Sequence, residues 1–366
     1  MQVDFDSLKW EIFQGSKNEG VRAFFRDRNP SEVSDPVVSQ HLFGNGFRPH
    51  YPGGHPFAVC VSHDVDTLFR PGQKTKDRIK GSIREILEGR FGRALRYANV
   101  SDPINPNYNI EKVLDLERKY DVRSSFYFLS LQPGEEDFNY RPDDIAEVFG
   151  QVSAAGCEIG LHGGHQAFGD PVKIKQEKTL LEEASGKRIA GYRNHFLKFR
   201  VPDTWKYLEA SAFEYDTTFA FPDQPGFRNG MCYPFFPYLE QEKRYSTVLE
   251  IPLHVMDASF MYYMKCSGEE ADRVAKSIID KVRRVNGVFT LLWHNDYFFK
   301  PWKGVFESLL RYCKENGAWF ATRHTDSRET IIHEREVSSL TCCKLVSQSN
   351  GCDRGIVYQR ANRRAS

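Results

Sequence analysis

Residues 57–66 read FAVCVSHDVD, an unbroken apolar run from Phe57 to Val61 followed at once by His63, Asp64 and Asp66. A short apolar run bounded by acids and a histidine suits a parallel strand, buried on both faces, whose C-terminal end opens into a polar site. Two carboxylates two residues apart can serve a metal and a proton transfer together, one as ligand and the other as base. A lone Asp-x-Asp is equally an ordinary solvated turn after a strand. Partners elsewhere in the chain have to decide between the two.

Working outward, strand and helix signals alternate. Strand-like runs stand at 124–129 (SSFYFL), 157–162 (CEIGLH), 190–195 (AGYRNH), 213–219 (FEYDTTF), 249–256 (LEIPLHVM), 287–294 (GVFTLLWH) and 318–323 (AWFATR). Helical periodicity falls between them at 110–120, 143–156, 174–186, 202–212, 270–287 and 302–317, and several of these helices end on glycine, at 156, 186, 287 and 317. Repeated βα units with near-continuously apolar strands imply a parallel sheet covered by helices. About seven parallel strands favour an α/β fold of the (β/α) barrel kind, with its site at the C-terminal strand ends.

Outside this rhythm lie four segments. Residues 1–54 end in the Gly/Pro/His-rich GNGFRPHYPGGHP and read as an arm packed on a barrel domain spanning 55–334. Residues 73–98 carry apolar positions at helical spacing with basic residues between them, a face that could meet an acidic substrate. Residues 221–246, rich in Pro, Gly and aromatics, read as a long loop over the barrel mouth that could stack on a flat ligand or simply pack. Residues 335–366 lose periodicity and form a basic tail, with six Lys plus Arg against two Asp plus Glu, expected to be disordered.

Composition narrows the function classes. Fifty Lys plus Arg nearly balance 49 Asp plus Glu in 366 residues, so no global field advertises nucleic acid or an anionic membrane. The N-terminal MQVDFDSLKWEIF has no signal-peptide pattern and no apolar run is long enough to span a bilayer, which predicts a soluble, cytoplasmic protein. Eight cysteines include no CxxC, so neither a zinc ribbon nor a thioredoxin-like site is indicated.

In a barrel, residues at successive strand ends share one pocket. Here they are His63, Asp64 and Asp66; His162, Gly163, Gly164 and His165; Arg193 and His195; Asp257; and His294, Asn295 and Asp296. This pattern over about residues 55–330 resembles the polysaccharide deacetylases with the NodB-homology fold, metal-dependent amide hydrolases on a distorted (β/α) barrel. The resemblance implies Asp64 as general base, Asp66 as metal ligand, Arg193 as holder of the catalytic acid, and Asp257 as the acid orienting His294, the general acid. Phe196, Trp293, Asn295 and Asp296 are candidate substrate contacts beside them.

The chain departs from the family at the second motif, where two histidines normally stand four apart. Here His162 and His165 are three apart, and Gln166 occupies the usual place. His165 reaches the ion of His162 only if the Gly-Gly turn bends sharply, whereas His195 flanks Arg193 on its own strand. Asp66, His162 and His195 are therefore the favoured ligands, with His165 the alternative third.

Zinc is the default ion, open to water at a fourth position. The implied function is removal of an N-acetyl or O-acetyl group from a carbohydrate, an amino sugar or glycan precursor. A catalytically silent glycan-binding or regulatory barrel, and a hydrolase of a cyclic amide or imide, are the competing readings.

Overall fold

The computed structural model describes residues 34–68 and 109–321, together with scattered positions between 79 and 95. Residues 1–33 of the expected N-terminal arm, most of the 73–98 helix and all of the 335–366 tail lie outside the described residues.

Nine parallel strands form one sheet: β1 (Ala58–Val65), β2 (Ser125–Leu129), β3 (Glu158–Gly163), β4 (Gly191–Asn194), β5 (Tyr215–Asp216), β8 (Leu249–Glu250), β9 (Val255–Met256), β10 (Val288–Leu292) and β11 (Trp319–Phe320). The order is β8-β5-β4-β3-β2-β1-β10-β9, with β11 pairing the start of β1. Helices α2 (Ile110–Lys119), α3 (Ala146–Ala154), α4 (Pro171–Ser185), α5 (Asp203–Ala210), α6 (Gly268–Arg284) and α7 (Trp302–Glu315) occupy the connections. This is a distorted form of the (β/α) barrel expected from the βα alternation. Among the described residues no helix is long and apolar enough to cross a membrane.

Strand alternation divides the core. Val59, Val61, Phe126, Phe128, Leu161, Tyr192, Phe289 and Leu291 face the helices in one large cluster. Facing inward are Tyr51, Ala58, Cys60 and Val288 at the strand starts, and Tyr127, Tyr215, Leu249 and Ile251 in the middle. The middle layer is partly polar: the Tyr127 and Tyr215 hydroxyls lie 3.1 Å apart, and Ser125 donates to Glu158 at 2.8 Å. Two interior glycines make room for these rings. A Cβ on Gly160 would stand 2.5 Å from the Tyr127 ring, and one on Gly191 2.1 Å from the Tyr215 hydroxyl.

Among the described residues no strand ladder closes the barrel. Residues 249–256, expected as one strand, are two: β8 lies at one edge of the sheet and β9 at the other. Pro252 has no N–H to give a ladder, and the short link turns across the gap. At its two ends Ile251 N–H donates to Asp216 O (2.9 Å) and His254 N–H to Thr290 O (3.3 Å).

The aromatic segment expected over the mouth instead runs down this gap. Ser259 Oγ donates to Pro222 O, Gly226 N–H to His254 O and Val288 N–H to Cys232 O, and Phe235 bridges antiparallel to Glu250. Val288 opens β10, so Cys232 has reached the floor of the barrel. Phe221, Phe227, Met231, Tyr233 and Phe235 are buried, packing as core; the short hairpin β6 (Tyr238–Leu239) and β7 (Arg244–Tyr245) follows. Helix α1 (Val37–Gly44) caps the same floor: Val38 and Ser39 N–H donate to Gly230 O, and Cys232 N–H donates to Ser39 Oγ.

Three of the four expected C-terminal glycines take left-handed backbone, at 156, 186 and 317; at the end of α6 that position is filled by Asn286 (φ 52°). Gly287 is required for space, since a Cβ there would lie 2.5 Å from Cys232 Sγ.

The tyrosine layer makes a stability test. Gly191→Ala should lower unfolding stability by about 1–3 kcal/mol through overpacking against Tyr215. A urea midpoint equal to wild type would show that the layer has slack.

Candidate active site

The strand-end residues gather around one fully buried cation. Arg193, on β4, donates from Nη1 to Asp64 Oδ1 (3.0 Å) and Ser62 Oγ (2.8 Å). Its Nε and Nη2 reach the Thr217 carbonyl and hydroxyl, each at 3.1 Å, and its guanidinium lies 4.6 Å from the centre of the Tyr127 ring. Ser62, Asp64 and Asp66 share the inward parity of β1. His63 has the opposite parity and leaves the site: it packs outward, Nδ1 on Trp293 O (2.7 Å) and Nε2 on Glu117 of α2 (2.9 Å).

Beside Asp64, three ligand atoms converge. Asp66 Oδ1 lies 3.2 Å from His162 Nε2 and 3.7 Å from His195 Nδ1, and the two ring nitrogens are 3.0 Å apart. Among the described residues these three group as one possible metal-binding set, the more buried of two; the other, Asp137, His165 and His195, shares His195 with it. His162 Nδ1 is 3.0 Å from Arg193 O, an acceptor, so it carries a hydrogen and in the neutral ring leaves Nε2 bare.

Asp66 Oδ1 is buried without a hydrogen-bond partner. Asp66 Oδ1 and the two ring nitrogens thus stand within reach of one shared cation. A proton can serve, and one carboxylate with two imidazoles also suits a divalent transition metal. Burial would raise the Asp66 pKa, but the facing His162, His195 and His294 hold it below the usual range. For His162, burial acts downward, and Asp64 with Asp66 more than offsets it, so its pKa is raised.

His165 stands apart from this set. Its Nε2 is 2.5 Å from Asp137 Oδ2 and its Nδ1 2.9 Å from Lys198 Nζ, so both ring nitrogens are engaged away from Asp66. Asp137 Oδ2 is also 3.0 Å from His195 Nε2. Asp137 and Lys198 escaped the sequence reading. The available signal was the acidic run 135–137, which follows the end of β2 at a distance of a few residues rather than directly.

On the opposite wall, His294 Nδ1 meets Asp257 Oδ1 at 2.6 Å, the backbone N–H of His294 donates to Asp257 Oδ2 (2.7 Å), and His294 Nε2 faces Asp66 Oδ2 at 3.7 Å. Burial alone would lower the His294 pKa; the Asp257 carboxylate overrides it and holds the imidazole well above its ordinary value. Burial pushes the neighbouring Asp296 carboxyl up to about 6.

Two expected substrate contacts are corrected. Trp293 is wholly buried and packs on Phe306 of α7 (5.4 Å), because it has the outward parity of β10. Asn295 is buried too, donating from Nδ2 to Thr67 O and so bracing the turn after Asp66. Phe196 is 48% exposed, at positive φ (57°), with its ring 4.3 Å from that of His195. Across the site Tyr262, 56% exposed, contacts Tyr297, which contacts His294.

Solved structures share this architecture. PuuE allantoinase aligns over 80% of this chain and 96% of its own, at 16% identity and a TM-score of 0.53. A Mycobacterium smegmatis protein assigned to the polysaccharide deacetylases aligns over 86% and 98%, at 16% identity and a TM-score of 0.48. What this chain has in common with PuuE allantoinase is the distorted (β/α) barrel. A CE4-family pseudoenzyme from Bacillus anthracis aligns over 74% and 68%, at 11% identity and a TM-score of 0.40. No protein-family model and no curated protein matches the sequence. At such identities the likeness concerns the fold, and any chemistry rests on the residues above.

The geometry ranks the histidines. His195→Gln should weaken zinc affinity far more than His165→Gln, as read by competition with a chromophoric chelator; the reverse ranking would put the HGGH turn on the ion.

Proposed function

We propose that this protein is a metal-dependent hydrolase that removes an acetyl group from an amide, or ester, of an amino sugar or glycan precursor. The observation that carries the reading is the convergence of Asp66 Oδ1, His162 Nε2 and His195 Nδ1, with the Asp64–Arg193 pair on one side and the Asp257–His294 pair on the other. A divalent ion held by the three ligands, zinc by default, would supply Lewis-acid polarisation of the scissile carbonyl.

The chain's own groups divide the proton work. Asp64, oriented by Arg193 and Ser62, takes the proton of the attacking water. His294 enters the reaction protonated, because Asp257 stabilises its cationic form, and gives its proton to the leaving amine. Exposed Phe196 on one side, and Tyr262 on the other, offer flat faces that suit the apolar face of a sugar ring. The same groups would also open a cyclic amide; acetate against a ring-opened acid as product separates the two.

Purified without chelators, the protein should hold about one divalent transition metal per chain, as a three-ligand site implies. A folded chain that takes up neither zinc nor cobalt would favour the binding-only barrel. Asp64→Ala and His294→Ala should each slow acetate release by about 10² or more with metal retained. Metal loss in Asp64→Ala would exchange the roles of the two aspartates.

The raised His294 pKa sets the sign of a pH effect. The acid is lost as pH rises through that value, so it limits the alkaline side of kcat/KM. Asp257→Asn removes the stabilising charge and should shift this limb to lower pH; an unmoved limb would assign it to another group.

A further inference from the structure

We infer that Asp137 is a positioning residue that fixes the tautomer of His195, with His165 and Lys198 holding Asp137 in place; the inference rests on the metal-site reading above. The argument starts from Lys198, whose ammonium can only donate. Its Nζ lies 2.9 Å from His165 Nδ1, which makes that nitrogen the acceptor, and Glu136 Oε2 at 3.6 Å is beyond hydrogen-bond range. The hydrogen of the neutral His165 ring therefore sits on Nε2 and is donated to Asp137 Oδ2 at 2.5 Å.

The same carboxylate oxygen faces His195 Nε2 at 3.0 Å. A neutral His195 has one hydrogen and two places to put it. On Nδ1 it would point at His162 Nε2, leaving the bare Nε2 against a carboxylate charge; on Nε2 it forms a charge-assisted bond to Asp137 and leaves Nδ1 bare toward Asp66 and His162. The second arrangement wins, and it is the one a metal ligand needs. His165, one residue short of the family's second ligand position, thus serves the site from behind His195.

The backbone supplies a clean variant. Asp137 sits at φ 62° on an exposed loop, so glycine removes the acceptor without straining the turn, and asparagine keeps an acceptor oxygen while removing the charge. In the metal-free protein, 15N–1H NMR of the imidazoles at a pH where His195 is neutral should show the Nε2–H form dominant in wild type and a mixture in Asp137→Gly. Zinc affinity should fall about 10–100-fold in Asp137→Gly and less in Asp137→Asn. Unchanged His195 tautomers in Asp137→Gly overturn the proposal whatever the affinity does. If wild type takes no zinc, the hydrolase reading fails, and the tautomer measurement still decides the role of Asp137.

Discussion

A guanidinium with no access to water must find every partner inside the protein, and Arg193 finds them on three other strands or their ends. It joins β4 to Ser62 and Asp64 of β1 and to Thr217 just past β5, over the Tyr127 ring of β2. Removing one partner of a buried pair leaves a charge uncompensated, at a cost of about 3–5 kcal/mol in comparable cases. The barrel's interior is therefore organised from the top by charge and from the middle by the tyrosine layer. Its most constrained point is also where Asp64 is aimed. Fold and site share one fastening.

Much of this was readable in the residues, for specific reasons. Apolar runs such as SFYFL and VFTLL are too short for helices and too continuous for half-exposed strands, and each became a strand. The gathering of Asp64, Asp66, His162, Arg193, His195, Asp257 and His294 followed from parallel topology, which brings C-terminal strand ends to one face. Parity was the neglected signal. His63 and Trp293 sit one residue from Asp64 and His294, and in a strand that single step turns the side chain from the pocket to the helices.

Other features could not be read locally. Asn286 and Gly287 divide between them what one glycine was expected to do, because Cys232, far away in sequence, fills the space where a Cβ would go. The Phe221–Phe235 segment has the composition of a surface loop, yet an unpaired seam in the sheet gives it a buried course. Asp137 belongs to an ordinary-looking acidic run, and only the distance to His195 separates it from Glu135 and Glu136.

The link between β8 and β9 has a mechanical meaning. Laid flat, eight strands at about 4.8 Å spacing would put the two edges about 34 Å apart. Residues 250 and 255 are joined by five Cα steps, which span at most about 18 Å. The chain itself forbids a flat sheet, so the curl is a tether rather than a preference of the strands. Asp257 follows that tether by a few residues. The β1–β10 ladder keeps His294 beside Asp64 whatever happens at the seam; lengthening residues 251–254 would instead let the β9 edge with Asp257 part from the β4 and β5 side that carries Arg193 and His195, so the width of the cleft is metered by the length of a loop that touches no catalytic group.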